Sequence, residues 1–375
     1  MRRHDDAASF ADEWAELCRQ LHRPPQDWPT WQACHARAFG TGRPGYLTAR
    51  RAGRLVGVLP FERRRGVVGI PALRPHHPAG QPVVEDDDVL AALVRRLVDD
   101  RPREVVWREW CPEDWPVALV RRELAKALPR QRLAAPVLAP YVDLTRSWEE
   151  VEAGLSSSFR KDARRRRRRA EERWRVRHEV FREAVVPADL LERCFAIEAS
   201  GWKGAQGTAI ACLPHLRTFY TDVARWAAAQ GWLRLDLLWF GDRLVAFQFN
   251  LQKDGVVRSL KIGYDDDFAA FAPGNLLDVA VMRDLVGEPV FRRAEFGAGE
   301  TRAKLLWADG SHELHEFHAA RTGMSAALTE RAERARHGLR RQAAQRLSPA
   351  AVAGLRTVRG RTQQALAGLR ARRGA

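Results

Sequence analysis

Two stretches lying 189 residues apart in the 375-residue chain share one pattern, and a long-range repeat of this kind restricts the fold to a pair of similar units. The first, "AGRLVGVLPFERRR" (Ala52 to Arg65), reads as a hairpin with a turn at Gly53-Arg54 and a following run rich in Val and Leu. The second, "GDRLVAFQFNLQKDG" (Gly241 to Gly255), aligns Arg54 with Arg243 and Leu55-Val56 with Leu244-Val245. An extended apolar run precedes each copy, "GYLTARR" in one and "GWLRLDLLWF" in the other. Helical patterns follow, beginning near Val89 and near Leu276, and then strands at Arg103 to Trp110 and Arg292 to Gly297. The expected fold is α+β, a tandem of two modules, each a mixed, mostly antiparallel twisted sheet flanked by helices.

The segment joining the copies, residues 141 to 230, reads as mostly helical. Ser147-Trp148-Glu149-Glu150 fits a capping box, Gly154 ends that helix, and Ser156 to Ser158 cap the next. Within the latter, "RKDARRRRRRAEERW" (160 to 174) holds six consecutive arginines, Arg164 to Arg169. Leu155, Phe159, Ala163, Ala170 and Trp174 recur near helical spacing, so only a thin face docks and the arginines point all round. Two more amphipathic helices close at Gly201 and Gly231. The resulting division is 1–140 for the first module, 141–230 for the connection and the start of the second, 231–325 for the second core, and 326–375 for a basic tail.

Charge follows this division. Residues 159 to 177 carry eleven Arg/Lys against three Asp/Glu, and residues 326 to 375 carry twelve Arg against two Glu. The whole chain is at +16, so everything else sums to about −2. That is not the distribution of a protein that wraps nucleic acid over its whole surface. Pro349, Gly354, Gly360 and Gly368 interrupt the tail, which reads as a frayed helix and flexible arm able to touch an anionic membrane. Five widely spaced cysteines without metal-ligand spacing fit reduced thiols in a cytoplasm, and no metal is expected. His76-His77 and the series His312, His315, His318 raise a metal reading, but the latter alternate as in a strand. No apolar segment of signal or spanning type is present, so a cytoplasmic protein is expected, with peripheral membrane contact through the tail.

The chemistry concentrates in Val256 to Trp307. A strand running to Tyr264 leads through a loop to Pro273-Gly274-Asn275, where a helix starts. A Pro-Gly helix start leaves backbone N–H groups free at the positive end of the dipole, which suits an anion. The other copy has Glu85, Asp86, Asp87 and Asp88 in that place, and their carboxylates would repel one. Any phosphorylated cofactor therefore belongs to the second module, which has no acid between Phe268 and Leu277.

In order, "SSFRKDARRRRRRAEE", "IEASGWKGAQGTAI", "LKIGYDDDFAAFAPGNLL" and "EFGAGETRAKLLW" resemble the GNAT-type acetyltransferases of the CelD-like, cellulose-biosynthesis-associated branch, related to the Fem aminoacyl transferases. The resemblance covers roughly residues 40 to 320. It implies two GNAT-like modules, the first degenerate, and transfer from acetyl-CoA or another acyl-CoA to an amine or hydroxyl of a saccharide-type acceptor, and the charge of the arginine helix would suit an acceptor that bears phosphate. The strand Ser259 to Tyr264, with Lys261, Ile262 and Gly263, would then polarise the thioester through its amides. Phe271, Pro273, Gly274, Asn275 and Leu276 would hold the pyrophosphate. Glu300, past a strand end in a Gly-rich turn, is the first choice for base, Glu295 the second, and Tyr264 the choice for acid to the thiolate. Arg160, Lys161, Glu198, Trp202, Lys203 and Lys304 are the acceptor-binding expectations, the arginine helix serving acceptor phosphate.

Two rival readings stay open on sequence: a Fem-like transferase using charged tRNA, and a non-enzymatic protein binding nucleic acid or an anionic membrane. CoA binding separates the first from acyl-CoA transfer; a steep loss of affinity with salt marks the second.

Overall fold

The computed structural model describes residues 1–40, 42–64, 67–69, 81–111 and 116–322, with Arg64, Val67 to Gly69, Trp110 and Trp202 described by backbone alone. The His76-His77 pair and the 326–375 tail lie outside the described residues.

Strand β1 (Arg2–His4) and helices α1 (Ala11–Gln20) and α2 (Pro29–Phe39) lead into the hairpin β2 (Arg43–Arg51) and β3 (Arg54–Arg64). Then come β4 (Val67–Gly69), β5 (Val83–Val84), α3 (Asp87–Val98), β6 (Glu104–Trp110), α4 (Val117–Ala125), β7 (Arg130–Leu133) and β8 (Val137–Asp143). The connection holds α5 (Trp148–Gly154), α6 (Ser157–Glu171), β9 (Val176–Phe181), α7 (Ala188–Ser200), α8 (Trp202–Ala205) and α9 (Pro214–Ala229). The second copy is β10 (Leu233–Phe240), β11 (Arg243–Lys253), β12 (Val256–Tyr264), α10 (Pro273–Gly287), β13 (Arg293–Glu295), α11 (Arg302–Leu305) and β14 (Gly310–Ala320). The repeat is thus a structural one: β2-β3-β4-α3-β6 matches β10-β11-β12-α10-β13.

Two local expectations change. The first hairpin turns on Ala52 (φ 50°) and Gly53 (φ 84°), both left-handed as a two-residue turn of the mirror-image type requires, so Arg54 already begins β3. The connection also contains β9, a strand pairing antiparallel with β10, inside the segment read as mostly helical. Its Val176 and Val180 alternate with Arg177 and Glu179, the pattern of an edge strand, though the basic run leading into it hides the change of period.

The strands form one sheet in the order β1-β2-β3-β4-β6-β14-β8-β13-β12-β11-β10-β9. At its centre the modules exchange their last strands. β8, which follows the first copy in sequence, pairs with β13 of the second, and β14 pairs with β8 through Gly310 to Leu314 and with β6 through His315 to Ala320. Phe317 and Ala319 consequently belong to the core of the first module, beside Trp107, Val105 and Leu59, while Val142 belongs to that of the second. The exchange covers the apolar edge of β6, which would otherwise be an open template for another strand. A further core joins α2 to α7, α9 and one face of β10 and β11; α5, α6 and α10 cover the opposite face. Among the described residues no helix is long and apolar enough to cross a membrane.

Phe317→Ala should therefore weaken the amino-terminal module from a position near the other end of the described chain. A loss of about 3–5 kcal/mol is expected for a buried Phe, read as faster hydrogen exchange of the β2 and β3 amides.

Candidate functional site

Strand β12 pairs with β11 along its whole length but with β13 only through Val256, Val257 and Arg258. Beyond Arg258 the two diverge: Phe296 N–H donates to Pro140 O, and Gly297 and Gly299 take positive φ as the chain turns away. The phase of β12 is fixed by Asp265, whose N–H donates to Val245 O at 2.8 Å. Groups of alternate residues face the same side, so Lys261 and Gly263 also turn their backbone toward β11, and Ile262 and Tyr264 turn theirs to the open side. The outcome is a V-shaped opening, one lip of which is strand backbone left unpaired by β13.

The chain then passes a short 3-10 segment of two turns, Asp266–Phe271, and reaches α10 through Ala272 in the left-handed region (φ 47°). No side chain caps α10; Leu276 N–H donates to Ala272 O, Pro273 has no N–H, and the amides of Gly274 and Asn275 stand at the helix start. The first module differs as its sequence implies. Asp86 caps α3 by accepting from Val89 N–H at 2.8 Å, Arg51 pairs with Asp86 at 3.0 Å, and Arg54 pairs with Glu85. That helix start is filled by its own carboxylates.

The arginine helix α6 runs beside the uncapped start. Phe159 in its first turn meets Trp307, whereas Arg166 reaches the loop, its Nη1 donating to Ala270 O at 2.9 Å. Arg169 and, just past the helix, Arg173 each lie 5.6 Å from the centre of the Phe271 ring. Most of the run is paired locally: Arg164 with Glu152, Arg165 and Arg166 with Asp162, Arg167 with Glu171. Exposed pairs of this type contribute little to stability. Arg169 and Arg173 have no carboxylate partner among the described residues. Arg160 and Lys161 sit in the first two turns, at the end away from Phe271.

Against the other face of β12 lies α7. Gly263 is required there, since a Cβ would come within 2.6 Å of Phe247 Cε1 and 3.0 Å of Glu198 Cβ. This contact brings the fully buried Glu198 carboxylate to Lys261 Nζ (3.0 Å) and Lys203 Nζ (3.1 Å), and its other oxygen accepts from Ile210 N–H at 2.8 Å. Lys203 also donates to Ile262 O at 2.7 Å. Burial lowers the Lys203 pKa, opposed by the Glu198 charge. Lys261, read from sequence as a donor-side residue, thus forms one cluster with Glu198 and Lys203, read together as acceptor-side residues. Trp202 opens α8 next to it.

The second lip carries Glu295, Glu300 and Lys304, while Tyr264 ends the first. Glu295 is engaged by Arg258 at 2.9 Å across the short parallel pairing. Lys304 points back into its own loop, donating to Gly297 O, Ala298 O and Gly299 O at 3.0 Å each, so its three N–H groups shape the turn before Glu300. Burial lowers its pKa as well. Glu300 is exposed at the end of that turn, and Tyr264 packs beside the α10 start, near Gly274. On β14, His312 contacts Arg293, His315 contacts Glu313 and His318 contacts Glu104 and Glu316. Among the described residues no group of three or more His, Cys, Asp or Glu could hold a metal.

Sequence reasoning missed the loop-facing arginines and a polar chain between α10 and the sheet. Arg234 and Asp236, both fully buried, pair at 2.8 Å; Asp236 also meets His178 (3.1 Å) and Asn250 (2.8 Å), and Arg234 reaches Asp284 (2.5 Å). Gln248 donates to Asp278 at 2.6 Å. Burial works against the Asp236 charge, yet hydrogen bonds from His178 and Arg234 hold its pKa below the ordinary range. Burial instead raises Asp278 to about 7. The alternation in "LRLDLLWF" was the available signal: Arg and Asp share one face of an otherwise apolar strand.

Residues 157–305, from α6 to α11, match the sequence family described as Acetyltransferase (GNAT) domain. No curated protein matches the chain. Solved structures with a similar fold include FemX (10% identity, TM-score 0.56, covering 85% of this chain and 97% of that one). A conserved protein of unknown function from Bacteroides thetaiotaomicron (12%, 0.53, 85% and 99%) and L-PGS from Bacillus licheniformis (12%, 0.51, 74% and 84%) are similar too. The match to the GNAT domain thus falls on the second module and the helices that lead into it, within a fold of two similar modules.

Two substitutions check the packing. Gly263→Ala should push α7 from β12 and cost about 1–3 kcal/mol in a denaturant melt. Asp278 binds its proton more tightly when folded, so between its ordinary value of 3.8 and about 7 the native state holds more protons and stability falls as pH rises. Asp278→Asn should remove that slope, measured as melting temperature against pH.

Proposed function

We propose that the chain is an acyltransferase that moves an acyl group, acetyl in the simplest case, from acyl-CoA directly to an amine or hydroxyl on a saccharide-type acceptor. The observation carrying this reading is the pairing of an uncapped, acid-free start of α10 with the open edge of β12. Amides of Gly274 and Asn275 suit the pyrophosphate, and the Ile262 and Tyr264 backbone suits the pantetheine and thioester. The filled start of α3 supports a single donor site, in the second module. Glu300 is the proposed base, being the exposed carboxylate on the facing lip, and the CelD-like branch and the saccharide acceptor rest on the sequence motifs. The position of Arg169 and Arg173 beside Phe271 supports assigning the arginine helix to donor phosphate.

A second reading has one observation in its favour, the likeness of fold to FemX: a Fem-like transferase taking an aminoacyl group from charged tRNA, with α6 on the RNA backbone.

Calorimetry with CoA and acetyl-CoA decides between them. Saturable one-site binding is expected, and the double variant Arg169→Gln/Arg173→Gln should bind about tenfold more weakly for each charge-assisted contact of ~1.5 kcal/mol removed. Absence of CoA binding together with salt-sensitive tRNA binding would replace the first reading by the second.

A further inference from the structure

The Glu198 cluster lies where the acyl-CoA reading would place the reacting thioester, and the inference below rests on that reading. Lys203 Nζ is 2.7 Å from Ile262 O, and the carbonyl of Ile262 shares its direction with the Ile262 N–H, away from β11 into the V-shaped opening. A cation therefore sits on the β12 lip itself. Glu198 and Lys261 stand behind it, on the α7 face of the strand, and one carboxylate between two ammonium groups gives this trio a positive balance. The side chain of Lys203 is 23% exposed, enough to meet a ligand, whereas Glu198 is wholly covered. Glu198 also accepts from Ile210 N–H, so the carboxylate is fixed by the fold.

We infer that Lys203, positioned by Glu198, is a catalytic cation that stabilises the thiolate leaving the acyl-CoA thioester. In the transfer the acceptor nitrogen or oxygen bonds to the acyl carbon, the carbon–sulfur bond breaks, and its electron pair departs on sulfur. The acceptor's proton passes to a base on the opposite lip or to solvent, and Lys203 keeps its own. No oxidant or reductant takes part. Glu198 and Lys261 are positioning residues, since Glu198 is wholly covered and Lys261 is more deeply buried than Lys203.

The same contacts would serve a purely structural pin between α8 and β12, and the ionisation of bound CoA separates the two roles. The ultraviolet absorbance of the thiolate is followed against pH for CoA alone, for the complex with the wild-type protein and for the complex with Lys203→Met. A cation beside the sulfur should lower the thiol pKa in the wild-type complex by about one unit, a tenfold gain in thiolate at a given pH. Lys203→Met should restore the value of free CoA. An unshifted thiol in the wild-type complex overturns the inference without any variant, so a poorly folded Lys203→Met protein does not shelter it. A shift that persists in a folded Lys203→Met complex overturns it equally. If CoA does not bind the wild-type protein at all, the acyl-CoA reading falls, and this inference with it; binding with an unshifted thiol leaves that reading standing and removes only the role of Lys203.

Discussion

The molecule hangs on β14, whose amino-terminal half pairs with β8 and whose other half pairs with β6. This one strand makes a single sheet of two modules and places Phe317 in a core built mostly from residues before 130. Because β8 inserts between β13 and β14, each module is completed by chain from the other half. Backbone pairing supplies the connection, and the apolar side chains that β14 and β8 bring to the two cores, Phe317, Ala319 and Val142, supply the driving force. The arrangement also fixes the relation between the lips of the opening, since β8 holds Phe296 and Gly299 away from β12.

The opening is a consequence of stopping a ladder early. Parallel pairing of β12 with β13 ends at Arg258 and Glu295, which close it with an ion pair, and from there the β12 backbone lacks that neighbour. Everything that gives the site its chemical character then arrives by packing. The helix α10 starts without a cap, α6 brings guanidinium groups to Phe271, and α7 presses Glu198 against Gly263 so that two lysines gather on one carboxylate. Charges are tolerated in such a place only where each is paired and hydrogen-bonded, and the Arg234–Asp236 chain under α10 obeys the same rule.

Much of the fold was legible because it rests on local chemistry. The repeat showed in hairpin and helix patterns, the capping box at Ser147 formed, and the closing glycine at Gly201 ended its helix. The contrast between Glu85 to Asp88 and the acid-free segment before Leu277 pointed to the module with the free helix start, since a cap is decided by residues within one turn. The edge strand β9 was lost in the basic run, because an edge strand needs little apolar character. The arginine helix itself was read correctly as a helix, but its neighbour was not: nothing in six identical residues says which of them faces Phe271. Lys203 and Lys261 were assigned to different ligands because nothing in residues nearly sixty positions apart shows that they share Glu198.

Local pattern was enough to specify a tandem α+β chain, an acid-free helix start in the second module, and the concentration of charge in one helix of the connection and in the tail. Those properties depend on spacing and on residues close along the chain. Only the tertiary structure decided that the modules trade strands, that the β12–β13 ladder opens after three pairs, and that Glu198, Lys203 and Ile262 meet at the resulting lip. Backbone pairing uses the same N–H and C=O groups for every partner, so side-chain patterns mark the strands without naming their neighbours. The neighbours are set when the whole apolar surface is buried at once.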